Sequence, residues 1–113
     1  MKNIKVDWNV LAICDKEYRN KPNHEIEYRT IGFAKHGYGE IVVVGRVKNA
    51  EKIKDLINTF GRMLAGGEYF EGNVMHYIDT PSGKNEYRFV VVYCKYDDGE
   101  KWVQLVPDFE MRQ

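Results

Sequence analysis

Apolar and polar residues alternate along the first stretch of the chain, Ile4-Lys5-Val6-Asp7-Trp8-Asn9-Val10, which runs on into Leu11-Ala12-Ile13-Cys14. A repeat of two puts alternate side chains on one side of an extended backbone, the mark of a half-buried strand. Residues 15–24 are polar, with Asn20, Pro22 and Asn23, and read as a loop. Alternation resumes over residues 25–33. Ile26, Tyr28 and Thr30 fall on one face, and Glu27, Arg29, Ile31 and Phe33 on the other. A turn with two glycines spans 34–39, and a third strand spans 40–47. Its run Ile41-Val42-Val43-Val44 is apolar on both faces, which places this strand centrally in a sheet.

The period then changes. Ile53, Leu56, Ile57, Phe60, Met63 and Leu64 recur at the i, i+3, i+4, i+7 spacing of one helical stripe, while Lys52, Lys54, Asp55 and Arg62 fall outside it. Asn49 is the expected N-cap, and Glu51 suits the positive end of the helix dipole. Gly61 at the stripe's edge leaves room for close approach to a sheet, and Gly66-Gly67 end the helix.

Strand signals return after the helix. Residues 68–80 hold one or two, with 73–78 the stronger. Pro81-Ser82-Gly83-Lys84 marks a tight turn, 86–96 a long strand, 97–100 another turn, and 101–106 a last strand ended by Pro107. Short turns between consecutive strands favour antiparallel pairing. The expected fold is a single α+β domain over residues 1–113: a curved antiparallel sheet of about six strands, ordered β-β-β-α-β-β-β, with one main α-helix on one face.

Composition agrees. The chain has 113 residues, enough for one core without staples. No apolar run approaches the roughly 20 residues of a membrane span, and Met1-Lys2-Asn3-Ile4-Lys5 does not lead into a signal-peptide core. A cytoplasmic protein is expected. The two cysteines, Cys14 and Cys94, lie in apolar strand-like segments and read as reduced core residues. Lysine plus arginine number 17, as do aspartate plus glutamate, so the formal net charge is zero. That argues against nucleic acid as the main partner and permits self-association.

One segment has a familiar cast. Arg29-Thr30-Ile31-Gly32-Phe33, a glycine-bearing turn, and Glu40-Ile41-Val42-Val43-Val44-Gly45 resemble a bacterial family known as a domain of unknown function. That family pairs a threonine-(valine or isoleucine)-glycine-leucine strand with a glutamate, an apolar strand and a glycine. The resemblance continues through the helix with its glycine-rich end, Glu68 to Gly72, the closing Gln104-Leu105-Val106-Pro107-Asp108, and Trp8 ahead of its short strand. The chain departs from the pattern at Arg29, where the family has tyrosine, and at Tyr38-Gly39, where it has histidine-proline. The resemblance implies a fold and carries no established activity.

Candidate chemistry is sparse. His24, His36 and His76 show no i+3 or i+4 pairing, and no CxxC, HxxxH or HExxH exists, so no metal site is expected. GxSxG, GxxxxGK[ST] and a helix-opening GxGxxG are absent; Gly37-Tyr38-Gly39 leads into a strand. Glu25 with Glu27, and Asp97 with Asp98, read as solvated pairs. Eight tyrosines and two tryptophans stand out, with Arg29, Arg46 and Arg88 in strands. Flat rings with hydroxyls beside planar cations suit an anionic ligand or a protein partner, although tyrosine is also a good strand former in its own right. The leading expectation is a non-enzymatic binding or regulatory module without catalytic residues, metal or cofactor. It would recognise a small anionic, nucleotide-like ligand or a partner protein through Arg29, Thr30, His36, Tyr38, Glu40, His76, Tyr77 and Arg88. One alternative is a small hydrolase or isomerase, which requires His36, Glu40 and His76 to converge. The other is an interaction protein working through a homodimer interface.

Overall fold

The computed structural model describes residues 7–111 apart from 82 and 96, and the backbone but not the side chain of His36. Six strands form one sheet: β1 (Asn9–Ile13), β2 (Glu25–Ile31), β3 (Glu40–Arg46), β4 (Met75–Asp79), β5 (Glu86–Lys95) and β6 (Lys101–Pro107). Helix α1 (Ala50–Ala65) lies between β3 and β4, and a single turn of helix, α2 (Asp108–Met111), closes the chain. The α+β class, the six strands and the one main helix are as the sequence pattern requires. The expected loop at 15–24 contains one 3-10 turn (Lys16–Tyr18), and the alternation at Ile4 to Val6 lies outside the described residues.

The sheet is mixed rather than wholly antiparallel. Its spatial order is β1-β2-β3-β6-β5-β4, and β3 pairs with β6 in parallel while every other neighbour is antiparallel. The cause is the helix. A crossover through α1 returns the chain to the end of the sheet where β3 began, so β4 starts out parallel to β3. Two further reversals leave β6 parallel to β3 and free to zip onto it, Ile41 beside Val103 and Val42 beside Gln104. The double-sided apolar run thus becomes the middle of the sheet, as its composition demands.

One face of the sheet receives α1. Ile53, Leu56, Ile57 and Phe60 are fully buried, and they pack with Tyr28, Ile41, Val43, Phe89, Val91 and Leu105 in one core. The Phe60 ring meets Phe89 edge-on at 5.6 Å and Phe70 at 4.7 Å. Gly61 is buried because a side chain there would press on Trp8 Cζ2 at 2.9 Å and Phe33 Cζ at 3.0 Å, and Trp8 Nε1 donates to Asn58 Oδ1 at 3.0 Å. The helix ends in a Schellman motif: Gly67, at φ +93°, donates to Leu64 O, and Glu68 N donates to Met63 O.

Three local expectations need correction. Phe33 does not share the outer face with Ile31. Gly32, at φ +132°, bends the backbone past Asp7 and turns Phe33 back into the core, where it meets Trp8 at 4.7 Å. Asn49 does not cap α1 with its side chain; its Nδ2 instead donates to Glu110 Oε2 at 2.6 Å. The cysteines are free but half-buried rather than core residues, and burial pushes the Cys94 thiol up from its ordinary pKa.

Candidate functional site

The sequence-derived candidates fall into two groups at opposite sides of the sheet. Arg29, Thr30, His36, Tyr38 and Glu40 belong to β2, β3 and the bend between them. His76, Tyr77 and Arg88 belong to β4 and β5, on the far side of β6.

At the bend, strand β2 stops at Ile31 and the chain turns through a 3-10 turn (Ala34–His36) before β3 begins at Glu40. Such a turn exposes backbone N–H groups in the way a helix N-terminus does. Glu40 fills that cradle. Its Oε1 accepts from Thr30 Oγ1 at 2.8 Å and Phe33 N at 3.1 Å, and its Oε2 accepts from Gly32 N and Ala34 N, both at 3.2 Å. Thr30 is buried and in turn accepts from Ile41 N at 2.9 Å. Burial alone would raise the Glu40 pKa. The Thr30 hydroxyl and the three backbone donors outweigh it and hold the carboxyl below its ordinary value. The bend is therefore an anion site whose anion is the chain's own Glu40.

Tyr38 is half-buried and sets its ring edge-on to Phe33 at 5.9 Å. An open hollow of about 610 Å³ lies alongside, bordered by Trp8, Ile31, Gly32, Lys35, Asp7 and Glu40. Two carboxylates against one lysine give it no bias toward an anionic ligand.

At the other group, a His76 ring nitrogen lies 2.7 Å from Glu71 O, and the ring packs against Phe70 and Phe89 on the helix side. Tyr77 and Arg88 are cross-strand partners on the opposite face, with the guanidinium 5.6 Å from the ring centre and Arg88 Nε 3.7 Å from Glu86 Oε1. Two strands separate Glu40 from His76, and their side chains do not converge. The His36 side chain lies outside the described residues. Among the described residues no three His, Cys, Asp or Glu side chains cluster as metal ligands, and no helix is long and apolar enough to cross a membrane.

Arg29 points elsewhere. It sits on the sheet face that no helix of the described residues covers, with Leu11 and Val42 as its cross-strand neighbours. Its Nε is buried and has no hydrogen-bond partner among the described residues. Val42 on the same face is only 6% exposed. The register continues the face across the molecule: Val42 beside Gln104, Gln104 beside Val92, Val106 beside Val90, Val90 beside Met75. Leu11, Ile13, Ile31, Val44, Met75 and Tyr77 all stand on it, exposed by 40% (Met75) to 61% (Tyr77). They are six of the ten large hydrophobic residues exposed among the described residues. This face escaped motif reasoning because no single strand carries it. The period-two parity of Leu11, Ile13, Ile31 and Val44 was the signal available for it.

Sequence reasoning also passed over Glu110. From α2 it accepts from Arg46 N at 3.1 Å, Arg46 Nε at 3.0 Å and Asn49 Nδ2 at 2.6 Å, with its own side chain only 6% exposed. Gly45 is required beneath it, since a side chain there would collide with Ile53 and crowd the Glu110 carboxylate. This cluster joins the chain's end to the start of α1 and is a structural clasp.

In comparisons with known proteins, no family model, no curated protein and no solved structure matches this chain.

Proposed function

We propose that the chain is a non-enzymatic binding module whose working surface is the helix-free face of the sheet, and that its partner is a protein. One observation carries this reading: six large apolar side chains stand exposed together on that face. A contiguous apolar surface on an otherwise polar protein is a docking surface far more often than an accident. Its layout supports the same reading. Valines and Gln104 form the floor along β3, β6 and β5, and an acid and an arginine stand one strand in from each edge, Glu27 and Arg29 on β2, Glu86 and Arg88 on β5. A charge-poor centre is a feature of protein interfaces.

A small anion is the weaker candidate, because the cradle of backbone donors at the bend is occupied by Glu40. Hydrolysis is weaker still. The Glu40 carboxylate is committed to four donors, and His76 is two strands away.

Photo-crosslinking in the native cell tests the proposal. A benzophenone amino acid placed at Val44 or Tyr77 should yield discrete protein adducts. The same probe at Glu51, exposed on α1, should yield few. Equal adduct patterns at all three positions, or none at Val44 and Tyr77, would remove the reading.

A further inference from the structure

Resting on that reading, we infer that the partner is a second copy of this chain, packed sheet against sheet about a two-fold axis. The first argument is width. The exposed apolar residues reach from β1 to β4, five strand spacings apart in the sheet order. At about 4.8 Å each this is roughly 24 Å. A partner helix, about 10 Å across, would cover only two strands and leave the rest wet. Another six-stranded sheet has the matching width.

The second argument is area. Six strands with about five residues each in register give a footprint of roughly 29 by 17 Å. With side-chain relief that is on the order of 700 Å² of accessible surface per copy. The total, about 1,400 Å², falls within the range of stable, specific interfaces.

The third is charge. A two-fold interface must be complementary to itself. Along β2 this face presents Glu25, Glu27 and Arg29 in order. A copy related by an axis running across the strands lays β2 antiparallel over β2. Arg29 of each chain then faces the acidic end of the other. The other charges on β3 already have partners within the chain, Glu40 its four hydrogen-bond donors and Arg46 the Glu110 carboxylate. With a net charge of zero, nothing repels the copies at long range.

The result is a four-layer assembly, helix-sheet-sheet-helix, with the two sheets about 10 Å apart. Sedimentation velocity over a range of concentrations reads it directly. The wild-type chain of 13.3 kDa should sediment at twice that mass. Val44→Lys should weaken the dimer about 100-fold or more, as a charge forced into an interface centre does. Val44 is exposed in the single chain, so the variant should retain its circular dichroism. A second readout does not depend on the lysine variant. In a chain with Cys14 and Cys94 changed to serine, a nitroxide on Val44→Cys should lie within about 20 Å of its twin, whereas one on Glu51→Cys, across both helix layers, should lie beyond about 30 Å.

A dimer that survives Val44→Lys with long Val44–Val44 distances overturns the inference and moves the contact to a strand edge. A wild-type monomer at 100 µM, a probe concentration chosen well above a tight dimer's dissociation constant, also overturns it. In that case adducts to other proteins from Val44 in the crosslinking experiment would leave the docking face standing, and their absence would remove both ideas together.

Discussion

Glu40 carries a charge into the bend between β2 and β3, and four donors meet it there. Its folded pKa is lower than its ordinary value, so the ionised form is the one the fold binds. The sign follows from linkage. A depressed carboxylate contributes stability that is fully present above its unfolded pKa, about 4.3, and is lost as pH falls through the folded value. Glu40→Gln removes the charge and turns an amide toward N–H groups that need an acceptor. The variant should lose about 2 kcal/mol at pH 7, and the difference from wild type should shrink steadily below about pH 4. Denaturant titrations at pH 7, 5 and 3 check this, and a gap that stays constant across that range would mean the carboxylate's charge is not what the bend holds. Tyr87 gives a neutral counterpart. Its hydroxyl donates to Asp55 Oδ2 at 2.8 Å, burial and that carboxylate push its pKa well up, and it ties β5 to α1 as a phenol at any physiological pH.

Among the elements, α1 was the plainest in the sequence and makes the largest contribution to the core. Its stripe is one-sided, and Phe60 at its middle is buried between Phe70 and Phe89. Phe60→Ala should cost about 3–5 kcal/mol, measured as a shift in the urea midpoint with the slope unchanged. A loss under about 1 kcal/mol would contradict that packing. Helix α2 is the contrasting case. Four residues cannot hold a helix by themselves, and this one is held by Glu110 reaching the backbone and side chain of Arg46 and the amide of Asn49. Glu110→Ala strands those donors beside Arg46 and should cost about 3 kcal/mol, with the Phe109 contact to Tyr87 loosened in the same step. The two elements differ in legibility for the same reason. Apolar periodicity records which side chains leave water, so the stripe of α1 and the double-sided strand β3 could be read directly. Polar clasps between distant positions leave no period. Asn49 therefore looked like an N-cap, and Glu110 gave no signal at all. Phe33 was misplaced because one glycine with positive φ shifts the parity of everything after it. The same limit explains the site: Thr30 and Glu40 could be picked out as residues, but not the carboxylate cradle that joins them.

At the scale of the molecule, the parallel pairing of β3 with β6 decides how the two halves depend on each other. The sheet consists of two antiparallel triplets, β1-β2-β3 and β6-β5-β4, which are consecutive in sequence and joined through α1. Local turns explain the pairing inside each triplet, but no local signal specifies the seam between them, which is why an all-antiparallel sheet was the natural expectation. Neither triplet covers its own helix-side face. Ile53 lies against Gly45 on β3 and Phe60 against Phe89 on β5, so one helix buries both. Opening the seam exposes the stripe of α1 on both sides, and the halves should unfold as one unit. Native-state hydrogen exchange gives the measurement. The amides of Ile41 and Val43 on β3 and of Val91 on β5 should exchange with a single free energy, equal to that of global unfolding. Those of β1 should exchange earlier, since it is an edge strand with Leu11 and Ile13 open to solvent. Distinct plateaus for β3 and β5 would mean that each triplet holds its structure without the other. Early loss of β1 alone would instead place the weakest strand at one border of the apolar face, where a second sheet laid across it adds protection that the single chain lacks.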